Sequence, residues 1–388
     1  MEGMRTVELF AGAGGLGMGV CRAGFMPVAV IERDAYCCDT IRENQRRDLF
    51  PLNRWPLAQG DIRDFKFSKI EGTVDFVSGG PPCQPFSLAG KHRGHDDTRD
   101  MFPQAVRALR ELKPRAFLFE NVKGLTRATF ATYFEYIRLQ MTYPELIVKR
   151  GECWRDHLAR LERHHTHGSY DGLSYKMVTR VLNAADYGIP QRRERIFFVG
   201  FRADTGIEWA FPDPTHSREA LIWDQTRGEY WERHAVPRKQ RATPVMTEAQ
   251  QNLYSNKLTR PWRTVRDALR DLPDPEHKPE ESSAFFNHRF QPGARSYKGH
   301  TGSPLDEPAK TLKAGVHGVP GGENMLCRPD GSVRYFTVRE AARLQTFPDD
   351  FLFHGSWTET MRQLGNAVPI DLAQLIASDI MEHLERRP

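Results

Sequence analysis

The chain has few cysteines, no long apolar run and little net charge, and each shortage excludes something. Its six cysteines in 388 residues show no regular spacing and no C-x-x-C pair, which argues against a disulfide framework and against a zinc site. Any cysteine that matters should matter as a thiol. No apolar stretch approaches the roughly 20 residues that a membrane-spanning helix requires. Residues 1–10 lack the basic-then-apolar layout of a signal peptide, so a cytoplasmic location is expected. The net charge is only +5 and the pI is near 8.8, which permits a nucleic-acid partner without arguing for one. No internal repeat or low-complexity tract is present, and the length admits one large domain or two ordinary ones.

Short apolar runs at 6–10, 27–31, 74–77 and 116–119 alternate with helical stretches, and two more strand-like runs follow at 174–184 and 195–201. Strands that alternate with helices predict an α/β fold, a mostly parallel sheet covered on both faces. Between the two groups lies a His-rich tip, His164, His165 and His167, expected as a solvated loop and not as a metal site. From about residue 202 Pro, Arg, Trp and polar residues dominate, and the alternation stops until about 335. One helix stands out there, opened by Thr264 and Asp267 as a capping box and stopped by Pro273. Thr337 and Glu340 open another helix, expected to run to Phe347. The apolar spacing of Ile370, Ala373, Ile376, Ile380 and Leu384 predicts a terminal helix packed on a larger body. The expected division is 1–201 completed by 358–388, a smaller irregular domain at 202–334, and a connecting helix and hinge at 335–357.

In open parallel sheets ligands gather at the carboxyl ends of the strands. The first run enters Phe10-Ala11-Gly12-Ala13-Gly14-Gly15-Leu16-Gly17, a G-x-G-x-x-G match whose glycines let backbone approach a nucleotide-like ligand. Glu32, 20 residues beyond Gly12, is placed to hold ribose hydroxyls. That pair alone leaves a nicotinamide dinucleotide and S-adenosylmethionine both open. Asp61 sits where its carboxylate could accept a hydrogen bond from an adenine amino group. The third run ends in Gly79-Gly80-Pro81-Pro82-Cys83-Gln84-Pro85, where prolines on both sides fix the backbone around one thiol, as a nucleophile requires. The fourth ends in Glu120-Asn121-Val122, which brings a carboxyl to the same rim.

With these blocks in order, the chain resembles the C5-cytosine DNA methyltransferases of bacterial restriction-modification type over nearly its whole length. The resemblance continues through Gln191-Arg192-Arg193-Glu194-Arg195, Arg339-Glu340-Ala341-Ala342-Arg343-Leu344-Gln345 and Gln363-Leu364-Gly365-Asn366-Ala367-Val368-Pro369. It implies a Rossmann-like methyltransferase fold that binds S-adenosylmethionine, with no metal, and a target-recognition domain at 202–334. Cytosine C5 is a poor nucleophile. Attack by the Cys83 thiolate on C6 would activate the ring, Glu120 would hydrogen-bond or protonate N3, and C5 could then take the sulfonium methyl. Loss of the C5 proton would release Cys83, and the base that removes it is not identified.

The resemblance puts Arg193 and Arg195 at the active-site rim with the flipped nucleotide. It puts Phe10, Gly12, Gly14, Gly15, Leu16, Glu32, Asp61, Ile62, Pro82, Asn366 and Val368 around the cofactor. The base must leave the helical stack, because C6 is inaccessible within it, and residues 86–102, with Lys91, His92, Arg93, His95 and Arg99, are the expected closing loop. DNA contacts are expected from Gln191, Arg289, Arg295, Lys298, Lys310 and Lys313. Between Arg238 and Lys313 fourteen Lys and Arg stand against nine Asp and Glu. Expected partners are double-stranded DNA and a cognate restriction endonuclease, with the chain acting as a monomer. A transfer-RNA methyltransferase is the nearest rival, but the Cys-Phe-Thr block of that subgroup does not occur. A silent DNA-binding subunit would not need Cys83, Glu120 and Arg193. An NAD oxidoreductase leaves the Pro-Pro-Cys rim unexplained.

Overall fold

The computed structural model describes residues 3–82, 100–168, 170–241, 259–315 and 324–386. The main sheet is built from β1 (Arg5–Leu9), β2 (Met26–Glu32), β3 (Leu57–Gln59), β4 (Phe76–Gly79), β5 (Ala116–Val122), β6 (Tyr175–Asn183) and β8 (Glu194–Arg202), with a two-residue β7 (Gln191–Arg192) just before the last. The strand order is β3-β2-β1-β4-β5-β8-β6. The first five run parallel, and β8 and β6 are antiparallel to their neighbours. The switch point of the doubly wound order falls between β1 and β4, the two strands that lead into the glycine loop and the Pro-Pro-Cys segment.

Alternation along the strands sends side chains to two cores. Val7, Leu9, Phe117, Phe119 and Phe198 pack with α3 (Phe102–Leu112), α4 (Ala131–Thr142) and α5 (Trp154–His167). Leu118, Phe197 and Val199 pack against α1 (Gly15–Arg22) and the terminal helix Ile370–Glu385. The helix predicted from the apolar spacing therefore does cover the sheet. It approaches α1 closely because Gly19 has no side chain: a Cβ there would stand 2.5 Å from that of Ala373.

A third core joins the cofactor end of the sheet to the irregular segment. Ala11, Ala13, Met18, Ile41 and Trp55 pack with Val265, Ala309, Leu312, Leu326 and Phe336, and with Ala341, Leu344, Leu364 and Ile370. The 259–336 region is therefore partly packed onto the first 60 residues.

Several expectations need correction. The three histidines are not a loop: they form the last turn of α5, where Tyr143 Oη lies 3.0 Å from His165 Nδ1. The alternation does not vanish after 202, because a helix Arg218–Thr226 forms there, capped by Ser217, whose hydroxyl accepts the Ala220 N–H. Both capping boxes exist, but their helices are short. They stop at Leu269 and Leu344, and Thr346 already has φ +57°, so the chain turns before Pro348. Among the described residues no helix is long and apolar enough to cross a membrane.

Candidate active site

The glycine loop is held from below and from the side. Glu32, at the end of β2, accepts the Gly12 N–H (2.7 Å) with one carboxylate oxygen, and the Arg33 and Asp34 N–H groups (2.7 and 2.6 Å) with the other. The loop turns through positive φ at Phe10, Gly12 and Gly14, and at Gly14 a Cβ would also meet the Trp55 ring at 2.9 Å. Gly15 opens α1 directly beneath the Val368 carbonyl, which a Cβ would approach to 2.4 Å. The helix has no side-chain cap, and its Gly17 N–H is taken by the Glu8 carboxyl, so the N–H groups of Gly15 and Leu16 remain for a ligand's anionic group. The Leu16 and Ile62 side chains are buried in the cores, so what Leu16 can offer is its backbone N–H.

Asp61 caps the turn Ile62–Asp64 and is gripped by Arg63 Nε (3.0 Å) and its terminal nitrogen (2.6 Å), which hold its carboxyl far below the usual range. Asn366, one residue before the Ala367 that lies against Gly15, is exposed and its side chain has no hydrogen-bond partner among the described residues. This cradle of a carboxylate, free helix N–H groups, half-buried Phe10 and a free amide fits an amino-acid-bearing nucleoside such as S-adenosylmethionine.

The β4 and β5 ends meet beside it. Asn121 Nδ2 donates to the Pro81 carbonyl (2.8 Å), and Met101 N–H donates to that of Pro82 (3.2 Å). The segment carrying Cys83 is therefore tied at its base to the residue after Glu120. Cys83 itself, with Lys91, His92, Arg93, His95 and Arg99, lies outside the described residues. A Cβ on Gly80 would be 3.6 Å from a Glu120 oxygen.

Burial raises the Glu120 pKa, while Arg195 and Arg193 oppose the rise. Arg195 Nε stands 2.9 Å from Glu120 Oε1, an ion pair without the alignment of a hydrogen bond. A carboxyl between a dry environment and a guanidinium is poised to exchange a proton.

The sequence matches the family model described as C-5 cytosine-specific DNA methylase over residues 4–142 and 160–382. The chain belongs to that family. It is a DNA (cytosine-5-)-methyltransferase, and enzymes of this family use S-adenosylmethionine. The Type II methyltransferase M.PspPI of Psychrobacter is 33% identical over 98% of this chain and 80% of its own length. M.NgoMIV of Neisseria gonorrhoeae is 30% identical over 98% of each. The S. pombe Dnmt2 methyltransferase structure shares the fold, with a TM-score of 0.55 at 17% identity, over 99% of both chains.

Two motif residues of this methyltransferase do not stand where the resemblance put them. Gln191 is fully buried, its amide donating to the Leu344 carbonyl (3.2 Å) and accepting the Leu312 N–H (3.0 Å). Nothing is left of it to read DNA. Arg193 is also buried and donates to the carbonyls of Leu312 (3.3 Å) and Gly365 (2.9 Å), so it joins three segments behind the rim. Arg195 alone of the pair reaches Glu120 in an ion pair.

Of the remaining DNA candidates, Arg289, Arg295, Lys298 and Lys313 are exposed with no ion pair among the described residues. Lys310 is half-buried and donates to Thr301 Oγ1 (2.9 Å). Asn121, Trp55 and Asn324 matter to the site and were not singled out from sequence. Asn121 stood next to a chosen residue, whereas nothing local marks the other two.

Proposed function

We propose that this methyltransferase modifies C5 of cytosine in a specific double-stranded DNA sequence, by base flipping and a covalent bond between Cys83 and C6. The observation that carries the reading is Glu120, a buried carboxyl with a raised pKa beside the backbone that leads into Cys83. S-adenosylmethionine supplies the methyl group as an electrophilic sulfonium substituent. Glu32, the N–H groups of Gly15 and Leu16, Phe10, Asp61, Ile62, Pro82, Asn366 and Val368 hold it.

The Cys83 thiolate adds to C6, and the electron pair pushed into the ring makes C5 nucleophilic. Glu120 shares its proton with N3, so negative charge does not accumulate on the ring. Arg195 offsets the charge then left on the carboxylate and keeps its second oxygen oriented. Removal of the C5 proton afterwards returns electrons to the ring and expels Cys83. A base inside the duplex is shielded from a thiol, so extrusion precedes addition.

The 202–334 segment reads the site through its exposed cations. The chain works as a monomer in the cytoplasm, and a restriction endonuclease acting on the same sequence is its partner. The test is to supply labelled S-adenosylmethionine with duplex DNA or with transfer RNA and to identify the modified nucleoside. We expect 5-methylcytosine in DNA. Label in RNA alone would reverse the substrate assignment.

A further inference from the structure

Lys313 combines a fixed backbone with a free side chain. The residue before it, Leu312, is held through its N–H by Gln191 (3.0 Å) and through its carbonyl by Arg193 (3.3 Å). Lys313 itself donates its N–H to Asn324 Oδ1 (2.9 Å) and accepts at its carbonyl from Asn324 Nδ2 (2.8 Å). One buried side-chain amide thus does the work of a partner strand. On the third side lies Gly365, where a Cβ would come within 2.5 Å of the Lys313 carbonyl carbon and 2.3 Å of the Ala314 nitrogen. These restraints act on the backbone, yet the Lys313 side chain is exposed and makes no ion pair among the described residues.

We propose that Lys313 contacts a DNA phosphate at the active-site rim and that Asn324 is the positioning residue that presents it. The place follows from the chain of contacts: Leu312 is bonded to Arg193, and Arg195, two residues on, pairs with Glu120. The ligand chemistry follows from the side chain. An ammonium is a compact point charge with three donors on a flexible stem, which can meet a phosphate oxygen without needing a planar, two-pronged partner. Fixing the backbone in advance lowers the ordering cost of the contact, so a lone lysine gains more here than on a loose loop. Only an amide can serve Asn324's place, because it must donate and accept at once. Asn324 is fully buried, and its N–H and oxygen are both spent on Lys313.

The inference rests on the reading of the chain as an enzyme of duplex DNA. Its test is the affinity of the full chain for random-sequence duplex and for a duplex it methylates, across a range of salt concentrations. Lys313→Gln should lower the slope of log affinity against log salt by about 1, and should weaken both DNAs by the same factor. Asn324→Ala should weaken DNA binding with Lys313 present, and adding Lys313→Gln to it should cost less than in the unaltered protein. Cofactor affinity by calorimetry should stay within about twofold in Lys313→Gln, since no methyl-donor contact is assigned to it. Isosteric Asn324→Asp, which retains the acceptor and loses the donor, provides a second cycle if the alanine variant unfolds.

An unchanged slope in Lys313→Gln, a loss confined to the methylated duplex, or full additivity of the two substitutions would overturn the proposal. An unaltered chain that binds neither DNA would overturn the underlying reading as well, which separates the two failures.

Discussion

The rim of the main sheet and the 259–336 region hold their functional groups in opposite ways. At the rim the backbone does the positioning: Glu120 and Asn121 lie in a strand paired along seven residues with β8, opposite Phe197 and Ile196. Among the described residues of the 259–336 region regular pairing never exceeds three residues, and side chains take the place of ladders. Thr264 and Asp267 cap one helix reciprocally, His288 bridges Thr337 and the Pro273 carbonyl, Asp306 binds Arg266 and Tyr230, and Asn324 brackets Lys313. The lesson is one of tolerance. A ladder fixes geometry whatever its side chains are, and suits chemistry that must stay constant. A surface held by individual side chains can be rebuilt one residue at a time, and suits recognition.

The contrast can be broken or sharpened by substitution. The largest effect belongs to the rim: Glu120→Gln should lower methyl transfer by about 10²- to 10⁴-fold while cofactor affinity, read by calorimetry, changes little. A small loss of rate would mean that the buried carboxyl is structural.

Next comes the joint between the two regions. Gln191→Ala strands the buried Leu344 carbonyl and Leu312 N–H, and should cost about 1–3 kcal/mol in denaturant unfolding. Unfolding free energy unchanged from that of the unaltered chain would contradict this structural role for Gln191.

The most gradual effect is a pH dependence seated under the glycine loop. Glu8, on β1, is buried with its pKa raised to about 8, mainly by desolvation. It faces the hydroxyl of Ser78, the backbone of Gly17 and the neutral Cys21 thiol, itself pushed up to about 12. The folded state keeps this proton after the unfolded chain has released it. Stability should therefore fall as pH rises from about 4.5 to about 8, by on the order of 1 kcal/mol per unit. Glu8→Gln should flatten that fall in thermal melts taken across the window. An unchanged profile would assign the dependence to other groups.

Legibility divided along the same line. Six strands of the sheet could be read, five as apolar runs and Tyr175–Asn183 as a longer stretch in which apolar and polar residues mix. Leu57–Gln59 was missed because it is three residues long, half-exposed and preceded by Pro56. The residue types at the strand ends identified the carboxylates Glu32 and Glu120. Whether a motif residue faces the ligand or the interior was not legible: Gln191 and Arg193 differ from Arg195 only in what lies over them, and that cover comes from Leu312, Leu344 and Gly365, distant in sequence. The helix Arg218–Thr226 escaped because only Leu221 and Gln225 of its nine residues are buried, leaving no apolar stripe to see. Asn324 was invisible for a related reason, since one asparagine that replaces a strand has no periodicity at all.

The central claim is that Cys83 attacks cytosine C6 with Glu120 assisting. Duplex DNA carrying the methylation site with fluorine at C5 of the target cytosine cannot lose its C5 substituent as a proton, so the adduct should persist. Incubated with S-adenosylmethionine, the unaltered protein should form a denaturation-resistant complex with this DNA, and Cys83→Ala should form none. A stable adduct with the alanine variant would contradict the account.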